Sequence, residues 1–274
     1  MYTLASKERG RNSVVTVDGV AFGDGGFTMI AGPCAIESRS QIDRTAQFVA
    51  MAGAQMLRGG AFKPRTSPYA FQGLGDDGVD LIGQAARLAR IPAVVEALCE
   101  ANLPVLCDRV AMIQIGARNM QNFALLKAAA RTGRPVLLKR AASATLDEVL
   151  YAAEYILVEG NPNVVLCERG IRGFDPQTRN VFDLGGALRL KELTHLPVIA
   201  DPSHASGRAS LIEPLVLAAA AAGLDGAIVE VHPEPEQALS DKEQALDFPA
   251  FECLMRRLDA LLETEANVPL AACR

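Results

Sequence analysis

The sequence lacks an apolar segment that could cross a membrane or direct secretion. Residues 1–11 are polar and have no apolar core of the kind that a signal peptide carries. The most apolar stretch, residues 211–229, is interrupted by Glu213, Pro214 and Asp225, whereas a membrane span needs about 18 apolar residues with almost no charge. We therefore predict a cytoplasmic protein without a membrane partner, and a buried helix followed by a buried strand over this stretch.

The sequence also lacks an excess of positive charge and a regular cysteine pattern. The net charge of -5 gives no general reason to expect a nucleic acid or an anionic membrane as partner. Six cysteines without regular spacing in 274 residues do not form a disulfide framework, which predicts a reducing compartment. A local cluster of arginine and lysine is therefore informative, because its charge is opposite to the negative net charge of the chain.

Short β-rich apolar runs alternate with longer segments of helical period along the chain. No Gly-x-Gly-x-x-Gly fingerprint follows the first run, which argues against a dinucleotide-binding open sheet. Wholly apolar strands indicate a parallel sheet covered by helices, and eight such units without a composition break favour a closed barrel, which needs about 250 residues. We predict an α/β fold, a (β/α)8 (TIM) barrel with strands at 28–31, 55–58, 93–96, 112–115, 135–139, 164–167, 197–200 and 227–231.

The remaining segments fit the same architecture. Thr145 followed by Glu148 is the pattern of a capping box at a helix start. Residues 14–17 and 20–22, joined by Asp18 and Gly19, predict a β-hairpin that covers the barrel bottom or an oligomer interface. The predicted divisions are an N-terminal extension over 1–28, the barrel over 29–262 and a tail over 263–274. Buried helical faces are predicted at Ile42, Ala46, Val49, Ala50 and Gly53, at Leu146, Val149, Leu150, Ala153, Ile156 and Leu157, and at Leu211, Leu215, Ala218, Ala219 and Ala222.

Positively charged residues follow several of the predicted strands. In a barrel, the catalytic face is where strands end and helices begin. One such residue is more often a solvated surface charge, but six around one mouth would repel each other unless a multiply anionic ligand neutralised them. Arginine grips phosphate and carboxylate oxygens with two hydrogen bonds, and lysine adds a point charge. A site for two phosphates and a carboxylate is therefore predicted from Arg58, Lys63, Arg65, Arg118, Lys139 and Arg169.

A second set at the same strand ends has the chemistry of metal ligands. It consists of Cys34, His204, Glu230 and Asp241. Thiolate, imidazole and carboxylates together suit a divalent transition metal such as manganese, iron, cobalt or zinc. A lone buried cysteine is usually inert core, which is what we expect of Cys99, Cys107, Cys167 and Cys253, and His204 alone would be taken as structural. The combination beyond strand ends favours a metal site.

Several long motifs resemble those of a known family. The chain is similar to 3-deoxy-D-arabino-heptulosonate 7-phosphate (DAHP) synthases, and within the DAHP/KDO8P synthase family it resembles the short microbial type I-beta subgroup. The resemblance spans essentially the whole barrel. It rests on residues 32–37 (GPCAIE), 57–75 (LRGGAFKPRTSPYAFQGLG), 113–119 (IQIGARN), 137–140 (LLKR), 166–172 (LCERGIR), 201–208 (DPSHASGR) and 228–246 (IVEVHPEPEQALSDKEQAL).

The resemblance implies a TIM barrel that condenses phosphoenolpyruvate with erythrose 4-phosphate and water to give DAHP and phosphate, the first step of the shikimate pathway to aromatic amino acids. It implies a divalent metal cofactor that is held by Cys34, His204, Glu230 and Asp241. Manganese is the favoured metal, and cobalt, iron, zinc and cadmium are the alternatives. The implied phosphoenolpyruvate ligands are Arg58, Lys63, Ala117, Arg118, Lys139 and Arg169. The implied erythrose 4-phosphate ligands are Lys63, Pro64, Arg65, Thr66 and Asp241. The implied catalytic residues are Lys63, Cys34, His204 and Glu96. Lys63 is the candidate general acid toward the aldehyde oxygen, and the attacking water would be held by the metal or by a carboxylate such as Glu96.

Two alternatives stay open. The sister enzyme 3-deoxy-manno-octulosonate 8-phosphate synthase uses arabinose 5-phosphate and typically carries Lys-Ala-Asn-Arg-Ser/Thr in the loop that reads Lys-Pro-Arg-Thr-Ser here at 63–67; the proline stiffens this loop. A non-catalytic barrel that regulates a chorismate mutase is the other alternative. Such a protein would not need the metal ligands or the phosphate-binding residues, yet all of them are present in this sequence. The resemblance further implies a homotetramer or homodimer and allows a chorismate mutase partner. Because only about 28 residues precede the barrel, too few for a domain, we expect no feedback inhibition by aromatic amino acids within this chain alone.

Overall fold

The computed structural model describes residues 2–7, 12–63 and 67–267, and over this range the chain forms a closed barrel. Eight parallel strands pair in chain order, and the last closes the ring on the first. The predicted (β/α)8 barrel with an N-terminal hairpin is confirmed. The strands are β1 (Val15–Val17) and β2 (Val20–Phe22) of the hairpin, and β3 (Thr28–Gly32), β4 (Met56–Arg58), β5 (Ala93–Ala97), β6 (Met112–Ile115), β7 (Val136–Lys139), β8 (Val164–Glu168), β9 (Val198–Ala200) and β10 (Gly226–Glu230) of the barrel.

Helices follow the barrel strands and cover their outer faces. Ser38 caps the first by accepting a hydrogen bond from the Gln41 backbone N–H, and the predicted capping box of Thr145 and Glu148 starts the fifth. Each such cap satisfies backbone donors that the first turn leaves free. The helices are α1 (Arg39–Met51), α2 (Asp76–Ala89), α3 (Leu103–Arg109), α4 (Phe123–Arg131), α5 (Leu146–Val158), α6 (Leu184–Leu193), α7 (Pro202–Ser206), α8 (Ala209–Ala221) and α9 (Phe248–Asn267).

Two apolar layers hold the barrel together. Along β3, Ile30 belongs to a cluster inside the barrel, whereas Met29 and Ala31 belong to the larger cluster between strands and helices. Burial of one such side chain stabilises the fold by roughly 1.5–3 kcal/mol. Both faces of each strand are therefore buried over most of its length, which is why the strands are largely apolar and carry polar residues mainly near their carboxyl ends. The interior layer includes Ile30, Met56, Val94, Met112, Leu137, Val165, Ile199 and Ile228.

The N-terminal hairpin plugs the end of the barrel where the strands begin. Val15, Val17 and Phe22 are buried in the same cluster as the interior residues of the barrel. Asp18 and Gly19 both have positive φ, 44° and 90°, as the twist of a two-residue hairpin turn requires. Of the two positions predicted for the hairpin, the structure shows the barrel bottom.

Three expectations of burial are wrong. Gly53, predicted on the buried face of α1, is exposed and lies beyond the end of that helix at Met51. Cys99 is exposed rather than buried, because it stands at the start of a 3-10 turn, where its backbone N–H bonds to the Asn102 side chain. Cys107 and Cys253 are half-buried, and only Cys167 of the four is buried. The buried face of α8 is displaced from the predicted one and consists of Ile212, Val216, Ala219 and Ala220.

The C-terminal helix is longer than the predicted boundary at residue 262. It continues to Asn267, and residues 268–274 lie outside the described range. Among the helices of the described residues, none has the length and apolar character needed to span a bilayer.

Candidate active site

The carboxyl ends of the barrel strands surround a cavity of about 620 Å³. This is the end of a barrel where functional side chains collect. Pro64, Arg65 and Thr66, predicted to hold the second substrate, lie outside the described residues. The other predicted substrate ligands and catalytic groups that line the cavity are Arg58, Lys63, Glu96, Ala117, Arg118, Lys139, Arg169, His204 and Asp241.

Two of the cations, Arg58 and Lys139, are buried, and a third, Arg169, is half-buried. Arg58 lies 3.2 Å from Glu230, yet its Nε and Nη1 atoms are buried without a hydrogen-bond partner among the described residues. Lys139 pairs with Asp201. Burial lowers the pKa of Arg169, and no carboxylate of the described range lies within 4.0 Å of it. Buried guanidinium N–H groups without an acceptor are costly, and an anionic ligand would offset that cost.

The metal-ligand set begins where β3 meets its neighbours. Gly32 ends β3 with φ 153°, and a Cβ there would lie 2.1 Å from the Arg58 carbonyl oxygen. Glycine therefore permits the close approach of β3 and β4 that places Cys34 just beyond the strand. Glu230 is the last residue of β10, and Asp241 sits in the following loop in a left-handed conformation, φ 52°.

Cys34, Glu230 and Asp241 form one compact cluster. Their ligand atoms all lie within 4.8 Å of one another, and the Cys34 thiol donates to Asp241 Oδ2 at 3.0 Å. His204, the fourth predicted ligand, stands at the edge of this cluster. Its Nε2 lies 3.3 Å from Glu230 Oε1, while its Nδ1 faces Asp201 Oδ2 at 2.8 Å.

The donor atoms fit a divalent transition metal. Glu230 Oε1 lies 3.2 Å from Arg58 Nη2 but accepts no hydrogen bond among the described residues, which leaves its lone pairs available to a metal. Burial, together with the charge of Glu230, raises the pKa of Cys34 to about 12. Burial would also raise the pKa of Asp241, but the Cys34 hydrogen bond and the charge of Arg179 lower it to about 2. A metal would therefore displace the thiol proton and meet a carboxylate that is already ionised.

Lys63 and Glu96 occupy different walls of the cavity. The Lys63 Nζ donates to the Cys34 carbonyl oxygen at 2.9 Å and lies 3.0 Å from its Sγ. Glu96 is on β5, where Gln114 donates to it at 3.4 Å. A Cβ at Gly116 would lie 1.8 Å from Glu96 Oε1, so a larger residue there would force this carboxylate to move. Lys63 thus stands beside the metal ligands, and Glu96 faces the cavity from another strand.

Several residues in or near the cavity were not predicted from the sequence to belong to the site. Asp201 bonds to both Lys139 and His204, and Arg172 and Arg179 line the cavity from the loop after β8. Arg179 also reaches Asp241 at 3.3 Å. Asp201 directly follows β9, a position where functional side chains of a barrel are expected. Arg172 and Arg179 lie four and eleven residues beyond the end of β8, in a loop without periodicity.

A further buried network braces the same end of the barrel. Arg140 lies 2.8 Å from both Glu168 and Asp183, and the Gly170 N–H donates to Glu168 at 2.7 Å. Asp183 in turn caps α6. This network fixes the loop that follows Lys139 at the end of β7 and the loop after β8 that carries Arg169.

Known proteins share this sequence and fold. The DAHP synthetase I family model matches residues 6–264. The phospho-2-dehydro-3-deoxyheptonate aldolase of Thermotoga maritima is 48% identical over 263 residues, which cover 96% of this chain and 78% of that protein. A 2-dehydro-3-deoxyphosphooctonate aldolase of Magnetococcus marinus is 31% identical over 266 residues, covering 90% and 92% of the two chains.

Solved structures give the same result. The crystal structure of the Thermotoga maritima DAHP synthase superposes with a TM-score of 0.93 at 47% identity, covering 96% of this chain and 77% of that one. A truncated form of the Thermotoga maritima enzyme gives 0.90 at 44% identity and is covered to 97%. With a matching family model, a fold in common and nearly half of its residues identical, the chain belongs to the DAHP synthetase I family.

Proposed function

We propose that this protein is a DAHP synthase, which condenses phosphoenolpyruvate with erythrose 4-phosphate and water to give DAHP and phosphate. In this reaction the enol carbon bonds to the aldehyde carbon, whose oxygen takes up a proton. Water adds to the carbon that carries the phosphate, and phosphate leaves by C–O cleavage. The observation that carries the proposal is a cation-lined cavity of about 620 Å³ directly beside a cluster of thiol and carboxylate ligands.

Phosphoenolpyruvate would occupy the cationic wall of the cavity. Its phosphate and carboxylate would supply the anions that Arg169 and the unpaired Arg58 atoms lack among the described residues. Arginine forks hold such groups with two hydrogen bonds each. The proposed ligands are Arg58, Lys63, Ala117, Arg118, Lys139 and Arg169.

The aldehyde would lie between Lys63 and the metal ligands. Cys34, His204, Glu230 and Asp241 would hold a divalent ion, manganese first, whose chemistry when bound is Lewis-acid polarisation of the aldehyde carbonyl. Lys63 would donate the proton to the aldehyde oxygen, and Glu96 would hold the attacking water. The erythrose phosphate would be bound by Pro64, Arg65 and Thr66 of the second-strand loop, with Asp241 near its aldehyde end.

Turnover with two sugar phosphates tests the proposal against its nearest alternative. Protein reconstituted with Mn²⁺ should release phosphate from phosphoenolpyruvate with erythrose 4-phosphate, and much more slowly with arabinose 5-phosphate. The reverse preference would favour the octulosonate alternative, whose Magnetococcus representative is 31% identical, against 48% for the heptonate aldolase. No release with either aldose phosphate would favour the non-catalytic barrel.

Metal removal gives a second arm of the same experiment. A chelator should abolish phosphate release, and Mn²⁺, Co²⁺, Fe²⁺, Zn²⁺ or Cd²⁺ added singly should restore it to different extents. The homodimer or homotetramer, the chorismate mutase partner and the cytoplasmic location stay predictions. Light scattering of the purified chain, alone and with a chorismate mutase, would test the first two.

A further inference from the structure

Asp201 is a buried carboxylate that contacts both halves of the proposed site. It follows β9, caps α7 and is fully buried. Its Oδ2 pairs with the Lys139 Nζ and lies 2.8 Å from His204 Nδ1. Its Oδ1 lies 3.0 Å from the same ring nitrogen and accepts the His204 backbone N–H, also at 3.0 Å.

These contacts determine how His204 presents its ring. A neutral imidazole has one nitrogen that donates and one that accepts, and an ionised carboxylate can only accept. Asp201 therefore holds the ring proton on Nδ1. The lone pair is left on Nε2, which faces Glu230 at 3.3 Å.

The same carboxylate directs Lys139. An ammonium group has three N–H donors, and pairing with Asp201 anchors it at the wall of the cavity that Lys139 lines. The remaining donors can then point toward a bound anion. Arg58, which also lines the cavity, pairs with Glu230 rather than with Asp201.

We propose that Asp201 is a positioning residue that orients His204 for the metal ion and Lys139 for the phosphate of phosphoenolpyruvate. This inference rests on the proposed function, because it takes both ligands from it. Asp201 would touch neither ligand, yet one carboxylate would serve both subsites. Its loss should therefore weaken metal binding and phosphoenolpyruvate binding together.

Asp201→Asn tests this coupling with little change in shape. Asparagine has one acceptor oxygen in place of two and no negative charge, so it loses the ion pair with Lys139, and its amide nitrogen cannot accept from His204. We expect the Mn²⁺ affinity of the full chain to fall about 10–100-fold, as when a carboxylate behind a metal-binding histidine is removed. Phosphoenolpyruvate should bind the metal-free protein about tenfold more weakly. Both affinities are measured by titration calorimetry.

Asp225→Asn is the matched control. Asp225 is likewise a buried aspartate that pairs with a lysine, Lys191 at 2.8 Å, and accepts a backbone N–H, that of Val198. It lies just before β10, away from the cavity. Both affinities of this variant should match those of the unmodified protein. A loss of only one affinity in Asp201→Asn, or of neither, would overturn the proposal.

The ring proton gives a readout that does not depend on the variant folding. The chain has three histidines, so ¹⁵N-histidine labelling yields few signals, and Zn²⁺ is diamagnetic. In the unmodified protein, metal-free or Zn²⁺-loaded, His204 should carry its proton on Nδ1; a proton on Nε2 instead would refute the inference. If the unmodified protein binds neither Mn²⁺ nor phosphoenolpyruvate, the proposed function fails and this inference with it. If the unmodified protein binds both Mn²⁺ and phosphoenolpyruvate and Asp201→Asn binds them equally well, only the role of Asp201 is refuted.

Discussion

Lys63 touches the metal-ligand cluster and lines the cavity, so a change there tests the chemistry directly. We expect Lys63→Met to lower turnover by about 10²–10⁴-fold or more, the contribution typical of general acid catalysis. Its metal content should stay the same, because the ammonium group is not among the proposed ligands and only contacts Cys34 at 3.0 Å. Phosphate release and metal analysis on the same sample measure both.

Lys127→Met is the control for removing a lysine charge. Lys127 lies on α4 over the ring of Tyr155, 5.4 Å from its centre, and does not line the cavity of the proposed site. Its turnover should equal that of the unmodified protein. Near-normal turnover in Lys63→Met would remove Lys63 from the mechanism.

Functional side chains of a barrel collect just after the carboxyl ends of its strands, and this rule explains which site residues the sequence could predict. Cys34 and Glu230 lie at or just beyond the ends of β3 and β10, and the barrel closure brings those ends together. Arg179 escaped the rule because it lies eleven residues beyond the end of β8, whereas Arg172, only four residues beyond it, lies within the family motif at 166–172 but received no role there. The role of Asp201 escaped it for another reason: its contact with His204 depends on the turn of α7, a helix too short to show a period.

At the scale of single elements, the start of α5 links stability to pH. The Glu148 side chain accepts the Thr145 backbone N–H at 2.7 Å and the Thr145 hydroxyl at 3.0 Å, and both bonds lower the pKa of Glu148 below its ordinary value of 4.5. Thr145→Ala removes the hydroxyl bond and keeps the backbone bond. A carboxyl group with a lowered pKa stabilises the fold above its unfolded pKa, and the contribution is lost as the pH falls through the folded pKa. Thr145→Ala should reduce the free energy of unfolding by about 1 kcal/mol near neutral pH. This difference should shrink below pH 4.5 in denaturant titrations.

Ser38→Ala separates the cap itself from its titration. Ser38 accepts the Gln41 backbone N–H at 3.1 Å, and glutamine does not ionise. The loss should be similar in size, about 1 kcal/mol, and constant across the same pH range. If the Thr145→Ala difference is just as constant, Glu148 does not contribute through its charge.

The ends of the strands were predicted from the sequence more accurately than the buried faces of the helices. The predicted and observed strands differ by a residue or so at their ends, since the apolar runs stop where the chain leaves the barrel. The face of α8 was misplaced because the helix is apolar at nearly every position, so its sequence shows no sharp polar side. Which stripe is buried there is decided by packing against β9, β10 and α9.

On the scale of the whole molecule, stability and chemistry lie at opposite ends of the barrel. The hairpin plugs the end where strands start, and the cavity opens where they finish. A substitution in the hairpin should therefore leave the catalytic activity unchanged, because barrel enzymes build their active sites from the loops at the opposite end of the barrel. This separation can be tested with a single side chain of the plug.

Phe22 is fully buried in the interior cluster, so Phe22→Ala should lower the free energy of unfolding by about 3–5 kcal/mol, the cost of an aromatic-sized cavity. Thr16→Ala, on the exposed side of the same hairpin, should change it by no more than about 0.5 kcal/mol. Because neither residue lines the cavity, kcat/KM of both variants should equal that of the unmodified protein at temperatures where they remain folded. Denaturant unfolding and steady-state kinetics at the same temperature measure the two quantities. A Phe22→Ala protein with unaltered stability but reduced kcat/KM would show that the two ends of the barrel are coupled, contrary to the separation inferred from the packing.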